Sequence, residues 1–103
     1  MTLEQKIDYM QKMMEDTPID FGMAQIYLDL AQQKLINHIF PFRNDVVELN
    51  SKYDYDQIEL AIVLYNKRGA EGEELHNENG VHRRYRSEAQ ILASIPKFAG
   101  LPK

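Results

Sequence analysis

Three histidines, sixteen acidic residues and no cysteine set the chemistry open to this chain of 103 residues. The lack of cysteine excludes disulfides, thiolate zinc sites and cysteine nucleophiles. His76 and His82 stand close in sequence, with Glu73, Glu74 and Glu78 around them. A metal site could be drawn from that set, and a metal-dependent enzyme is one reading of it. Their spacing matches no ligand motif, however, and a turn is a poor rigid frame for ligands, so a solvated loop is expected. His38 falls near the end of a helical pattern, where a partly exposed imidazole suits the negative helix end. The carboxylates are spread over every polar face, and no pair stands out as general acid and base. There is no Gly-x-Ser-x-Gly elbow and no phosphate-cradling loop. These residues predict no catalytic site, no metal and no cofactor.

The densest charged feature is His82-Arg83-Arg84-Tyr85-Arg86, which follows Glu71, Glu73, Glu74 and Glu78. Three arginines and a tyrosine could contact phosphate and stack on a base. They could equally pair with the facing acidic strand or with an acidic neighbouring subunit. The sharp separation of charge favours subunit pairing. A small helical DNA-binding regulator using the Arg83–Arg86 cluster is the alternative, but no predicted helix is basic.

Acidic residues outnumber the 12 basic ones and leave a net charge of −4. A general nucleic-acid binder needs a cationic footprint, so this balance argues against one. The hydrophobic fraction is 44% and the charged fraction 27%, which fits a folded domain rather than a disordered chain. The length suits one domain, residues 1–103, with a single modest core. No apolar run approaches the roughly 18 residues of a transmembrane helix. Residues 1–14 are amphipathic and acidic, unlike a secretory signal or a transit peptide. A soluble intracellular domain is expected.

The elements that must carry these residues read as mainly α. Thr2 and Gln5 form a capping box ahead of Leu3, Ile7, Met10 and Met14, predicting a helix over 3–14. Thr17, Pro18 and Asp20 predict a second helix from Pro18 to about Phe40. Its stripe is Ala24, Leu28, Ala31, Leu35 and Ile39, widened by Ile26, Tyr27, Leu30 and Ile36. Gly22 weakens it, and Pro41 ends it. The connector 41–52 carries Val46-Val47-Glu48-Leu49, which should tack it onto the core. Ser51 with Asp54 is a capping candidate for a third helix over about 53–68. Its run Leu60-Ala61-Ile62-Val63-Leu64-Tyr65 is apolar on every side, the mark of a helix surrounded by protein. Lys67, Arg68 and Gly69 suit its C-terminal end.

Asn79-Gly80 is a strong turn signal, so residues 73–78 and 81–86 read as a short β-hairpin. A lone hairpin is barely stable in water and should pack on something outside itself. Ser87 with Gln90 opens a short helix through Ile91, Leu92 and Ile95, stopped by Pro96. The organisation is then a helical scaffold over 1–69, a hairpin loop over 70–86, and a short helix with a tail over 87–103.

Three stretches together resemble the head–tail connector proteins of long-tailed phages, also called adaptor or head-completion proteins. One is Tyr27-Leu28-Asp29-Leu30-Ala31 through Leu35-Ile36-Asn37 to Phe40-Pro41-Phe42. The second is Ile62-Val63-Leu64-Tyr65-Asn66-Lys67-Arg68-Gly69-Ala70-Glu71-Gly72, the most specific piece. The third runs from Glu78-Asn79-Gly80-Val81 through Arg83, Tyr85 and Ser87 to Ile95-Pro96. Their order spans most of residues 17–100.

The resemblance implies a structural virion protein, made in the host cytoplasm and located at the head–tail interface. It implies a homo-oligomeric ring, of about twelve copies to match the portal, beneath the portal protein after DNA packaging. The ring would extend the DNA channel and offer a docking surface to a head-closure or tail-completion protein. Genomic DNA would pass without specific binding, since acidic walls repel it. No membrane contact is implied. Ring and portal contacts are expected from Glu71, Glu73, Glu74, Val81, Arg83, Arg84, Tyr85 and Arg86, and from Ile95, Pro96, Phe98 and Leu101 in the tail.

Overall fold

Thr2 accepts from the Gln5 backbone N–H at 3.1 Å, and the Gln5 side chain accepts from Thr2 N–H at 2.9 Å. This reciprocal cap opens α1, Leu3–Met13, in a computed structural model of the chain. The structure describes residues 1–42, 45–46, 48–67 and 85–97. The further elements are α2, Phe21–Ile39, a 3₁₀ turn over Ser51–Tyr53, α3, Asp54–Lys67, and α4, Glu88–Ala93. The fold is mainly helical, with four α-helices among the described residues.

α3 lies at the centre and packs against α1, α2 and α4. Leu60, Ala61, Ile62, Val63 and Tyr65 are all buried, as the all-round apolar run predicts. α2 presents Ala24, Leu28, Ala31, Leu35 and Ile39 to it, each buried. The small residues Ala24 and Ala31 alternate with the larger ones, which lets α2 approach closely. α1 adds Ile7, Met10 and Met14, and α4 adds Ile91. Tyr27 and Tyr65 meet edge to face, with ring centroids 5.4 Å apart.

Several boundaries differ from expectation. α2 starts at Phe21 rather than Pro18, and its cap is Asp20 rather than Thr17. The Asp20 carboxylate accepts from Met23 N–H at 2.8 Å. Ile19 is buried, and its carbonyl accepts from the Gln11 side chain at 3.1 Å. Thr17 N–H closes the turn after α1 by donating to the Met14 carbonyl. Tertiary burial of Ile19 therefore holds residues 17–19 out of the helix, and an aspartate placed three residues ahead of Met23 takes over the cap. Ser51 does not open α3 either. Asn50 accepts from Lys52 N–H at 2.9 Å and caps the 3₁₀ turn that leads into it.

Two predicted core residues of α2, Ile26 and Leu30, are about half exposed, as is Leu3 of α1. The α2 stripe is thus narrower than its apolar content implies. The hairpin expected over 73–78 and 81–86 lies outside the described residues except for Tyr85 and Arg86. Neither of those two is in a strand, and Arg86 N–H donates to Glu59.

Candidate interaction surfaces

The segment rich in charge, residues 68–84, lies outside the described residues, but both of its stems are defined. Lys67 ends α3, and its ammonium lies 3.1 Å from the Glu88 carboxylate at the start of α4. Lys34 of α2 reaches the other Glu88 oxygen at 2.9 Å. Burial raises the Glu88 carboxyl pKa, but hydrogen bonds and charge from Lys34 and Lys67 outweigh that, leaving it below the ordinary glutamate value.

The chain returns at Tyr85 and Arg86. The Tyr85 hydroxyl donates to the Met13 carbonyl at 3.2 Å, reaching the end of α1. The Arg86 guanidinium donates to Asp56 at 2.9 Å and to Glu59 at 2.8 Å, both on α3, and to the Ser94 hydroxyl at 3.0 Å. Residues 56 and 59 are three apart, so α3 holds both carboxylates on one face. Burial raises the Glu59 pKa, while Arg86 lowers it further through side-chain and backbone bonds and its charge; the net shift is downward. Glu59 and then Asp56 raise the Arg86 pKa through their hydrogen bonds. Arg86 thereby satisfies its charge within its own chain.

Ile95, expected at an interface, is buried in the core. Its carbonyl lies 2.8 Å from His38 Nε2, which fixes the exit of α4 to α2. Pro96 and Lys97 are exposed beyond it. They form one edge of a cleft of about 570 Å³ between the end of α2 and the connector, with Ile39, Phe40, Val46, Leu49 and Tyr53 on its walls. Leu49 packs against the core, as expected of the connector. A second cleft, of about 380 Å³, runs between α1 and α2 beside Leu3, Gly22 and Ile26.

Of the residues expected to make contacts, Glu71, Glu73, Glu74, Val81, Arg83, Arg84, Phe98 and Leu101 lie outside the described residues. So do His76 and His82. Among the described residues no cluster of three metal-ligating side chains occurs, and no helix is long and apolar enough to cross a membrane. Sequence reasoning missed Asp56 and Glu59 as the partners of Arg86. The signal was present as two carboxylates one turn apart, just ahead of an apolar run. Comparison with protein-family models, with curated proteins and with solved structures gave no match.

Proposed function

We propose that this chain is a structural adaptor of the phage head–tail connector class, which forms a ring under the portal and offers a docking surface to the next component. The observation that carries the reading is the pinning of both ends of segment 68–84 to a helical body. Lys67–Glu88 holds one stem, and Arg86 with Asp56 and Glu59 holds the other. Between them the sequence sets Glu71, Glu73, Glu74 and Glu78 against Arg83 and Arg84. A head-to-tail ring needs two different patches per protomer, and an acidic stretch beside a basic one supplies such a pair. The order of the three resembling stretches supports the same reading.

In this role the chain does no chemistry. Helices α2 and α3 are the scaffold, residues 70–84 and the tail beyond Ile95 make the ring and portal contacts, and Tyr85, Arg86 and Ile95 anchor them to the body. The net charge of −4 per copy suits a channel through which DNA slides. Arg86 is engaged by two carboxylates of α3, so the neighbour contact of the basic cluster is assigned to Arg83 and Arg84.

The test is the mass of the purified protein by light scattering, alone and mixed with portal protein from the same source. A ring, or a monomer that joins the portal as a multiple set, is expected. Replacing Arg83 and Arg84 by glutamate should weaken assembly and leave the helical signal unchanged. A monomer or dimer that ignores the portal and binds duplex DNA in a salt-sensitive manner would replace this reading by that of a regulator.

A further inference from the structure

We propose that residues 85–97 form a charge-latched strap, which opens from the α1–α3 body as one unit while that body stays folded. This goes beyond the adaptor reading and stands without it. The strap comprises Tyr85, Arg86, the cap Ser87, α4 and the exit through Ile95 to Lys97.

Its apolar hold on the body is small. α4 buries Ile91 and the exit buries Ile95, with Leu92 partly covered. α2, by contrast, buries side chains along most of its length, from Ala24 to Ile39. α4 has six residues, and a helix that short does not persist once it leaves its support. Loss of docking and loss of helix therefore coincide, and the unit opens as a whole rather than residue by residue.

The polar ties are spread along the strap. Arg86 pairs with Asp56 and Glu59 at its start. Glu88 joins Lys34 of α2 and Lys67 of α3 in the first turn of α4. The Ile95 carbonyl meets His38 Nε2 at its end. The side chains of Arg86, Lys34 and Lys67 are 40%, 46% and 50% exposed, so water and dissolved ions reach these pairs. The body is joined differently. α2 and α3 meet through buried apolar side chains, and the bond from Gln57 to the Leu28 carbonyl is itself buried. Salt therefore weakens the hold of the strap more than that of the body.

Opening has a mechanical result. Lys67 is the near stem of segment 68–84, and Tyr85 with Arg86 is the far one. With the strap closed, both stems are fixed to the body. With the strap open, the far stem is released, and 68–84 changes from a loop into an arm.

Native-state amide hydrogen exchange of the full chain tests this. The N–H groups of Ile91, Ser94 and Ile95 report the strap, since they donate to carbonyls of Ser87, Gln90 and Leu92. They should exchange together, with one shared dependence on urea, and faster than those of Ile62 and Val63 in α3. Raising sodium chloride from about 10 mM to about 500 mM should speed the strap amides about tenfold, and those of α3 far less. Glu88→Gln should speed the strap amides already at low salt and blunt their response to added salt. Lys12→Gln, which breaks the exposed Asp8–Lys12 pair on α1, should do neither. Strap amides that exchange only together with those of α3 would overturn the proposal, as would strap amides indifferent to salt. Amides that open one after another, each with its own urea dependence, would overturn it in favour of a fraying end. None of these outcomes depends on whether the chain binds a portal, which the light-scattering experiment decides.

Discussion

The Glu59 carboxylate accepts from both the backbone and the side chain of Arg86, at 2.8 Å from the backbone N–H and 2.8 Å from Nη2. One residue of α3 thus fixes both the path of the returning chain and the direction of its side chain. Hydrogen bonds to charged groups contribute about 1.5–3 kcal/mol each when shielded, but Arg86 is partly open to solvent and screening reduces this. Arg86→Ala is expected to lower stability by about 1 kcal/mol in urea unfolding, because the backbone bond survives. Arg86→Lys should recover little of that loss, since a lysine cannot span Asp56 and Glu59 with a planar fork.

Acid should weaken the fold through the same carboxylates. Glu59 and Glu88 both have pKa values below the ordinary 4.5 in the folded chain. Their contribution is present above the unfolded value and is lost as the pH falls through the folded values. Unfolding free energy should therefore be level above about pH 5 and drop below about pH 4.5. A Glu59→Gln/Glu88→Gln variant should start less stable at neutral pH and show a shallower acid slope, read from urea midpoints across pH.

Among the described residues, Gln57 is the polar side chain set deepest in the core, at 1% exposure. Its amide donates to the Leu28 carbonyl at 2.9 Å, and its oxygen accepts from the Lys6 ammonium at 2.6 Å. Lys6 also lies 3.4 Å from Asp54, which in turn takes the Met1 amino group at 2.8 Å. Gln57→Ala removes both bonds and leaves a void, for an expected loss of about 2–3 kcal/mol in thermal or urea unfolding.

Gly22 stands in the first turn of α2, and nothing lies within 4 Å of where its Cβ would be. Gly22→Ala should stabilise the chain by roughly 0.5 kcal/mol, since alanine restricts the unfolded chain and meets no neighbour. A rise in the midpoint of thermal unfolding checks it.

Local chemistry was legible in the sequence, and distant contacts were not. Both capping boxes, Thr2 with Gln5 and Ser87 with Gln90, form as read, because each needs only residues three apart. The α2 stripe and the enclosed α3 also follow from spacing alone. The start of α2 did not, because burial of Ile19 depends on Gln11 and the α1 surface rather than on Thr17 and Pro18. Ile26 and Leu30 look like core by composition, but each is about half exposed, and Ile26 lines the open cleft between α1 and α2. The partners of Arg86 lie 27 and 30 residues back along the chain. No local rule pairs them, whereas the glutamates of 71–78 lie nearer to Arg86 in sequence.

Among the described residues, the stems of segment 68–84 are held by Lys67 with Glu88 and by Arg86 with Asp56 and Glu59. These contacts lie in the helical body and the stems, so the body is expected to work as a holder for an exchangeable insert. A glycine–serine link in place of 68–84 should leave the helices folded, and doubling its length should cost only about 0.6 kcal/mol of closure entropy. Partner choice could then drift by changes in the insert alone, with the four-helix frame unaltered, and two such proteins could differ wholly in what they grip while sharing every buried residue.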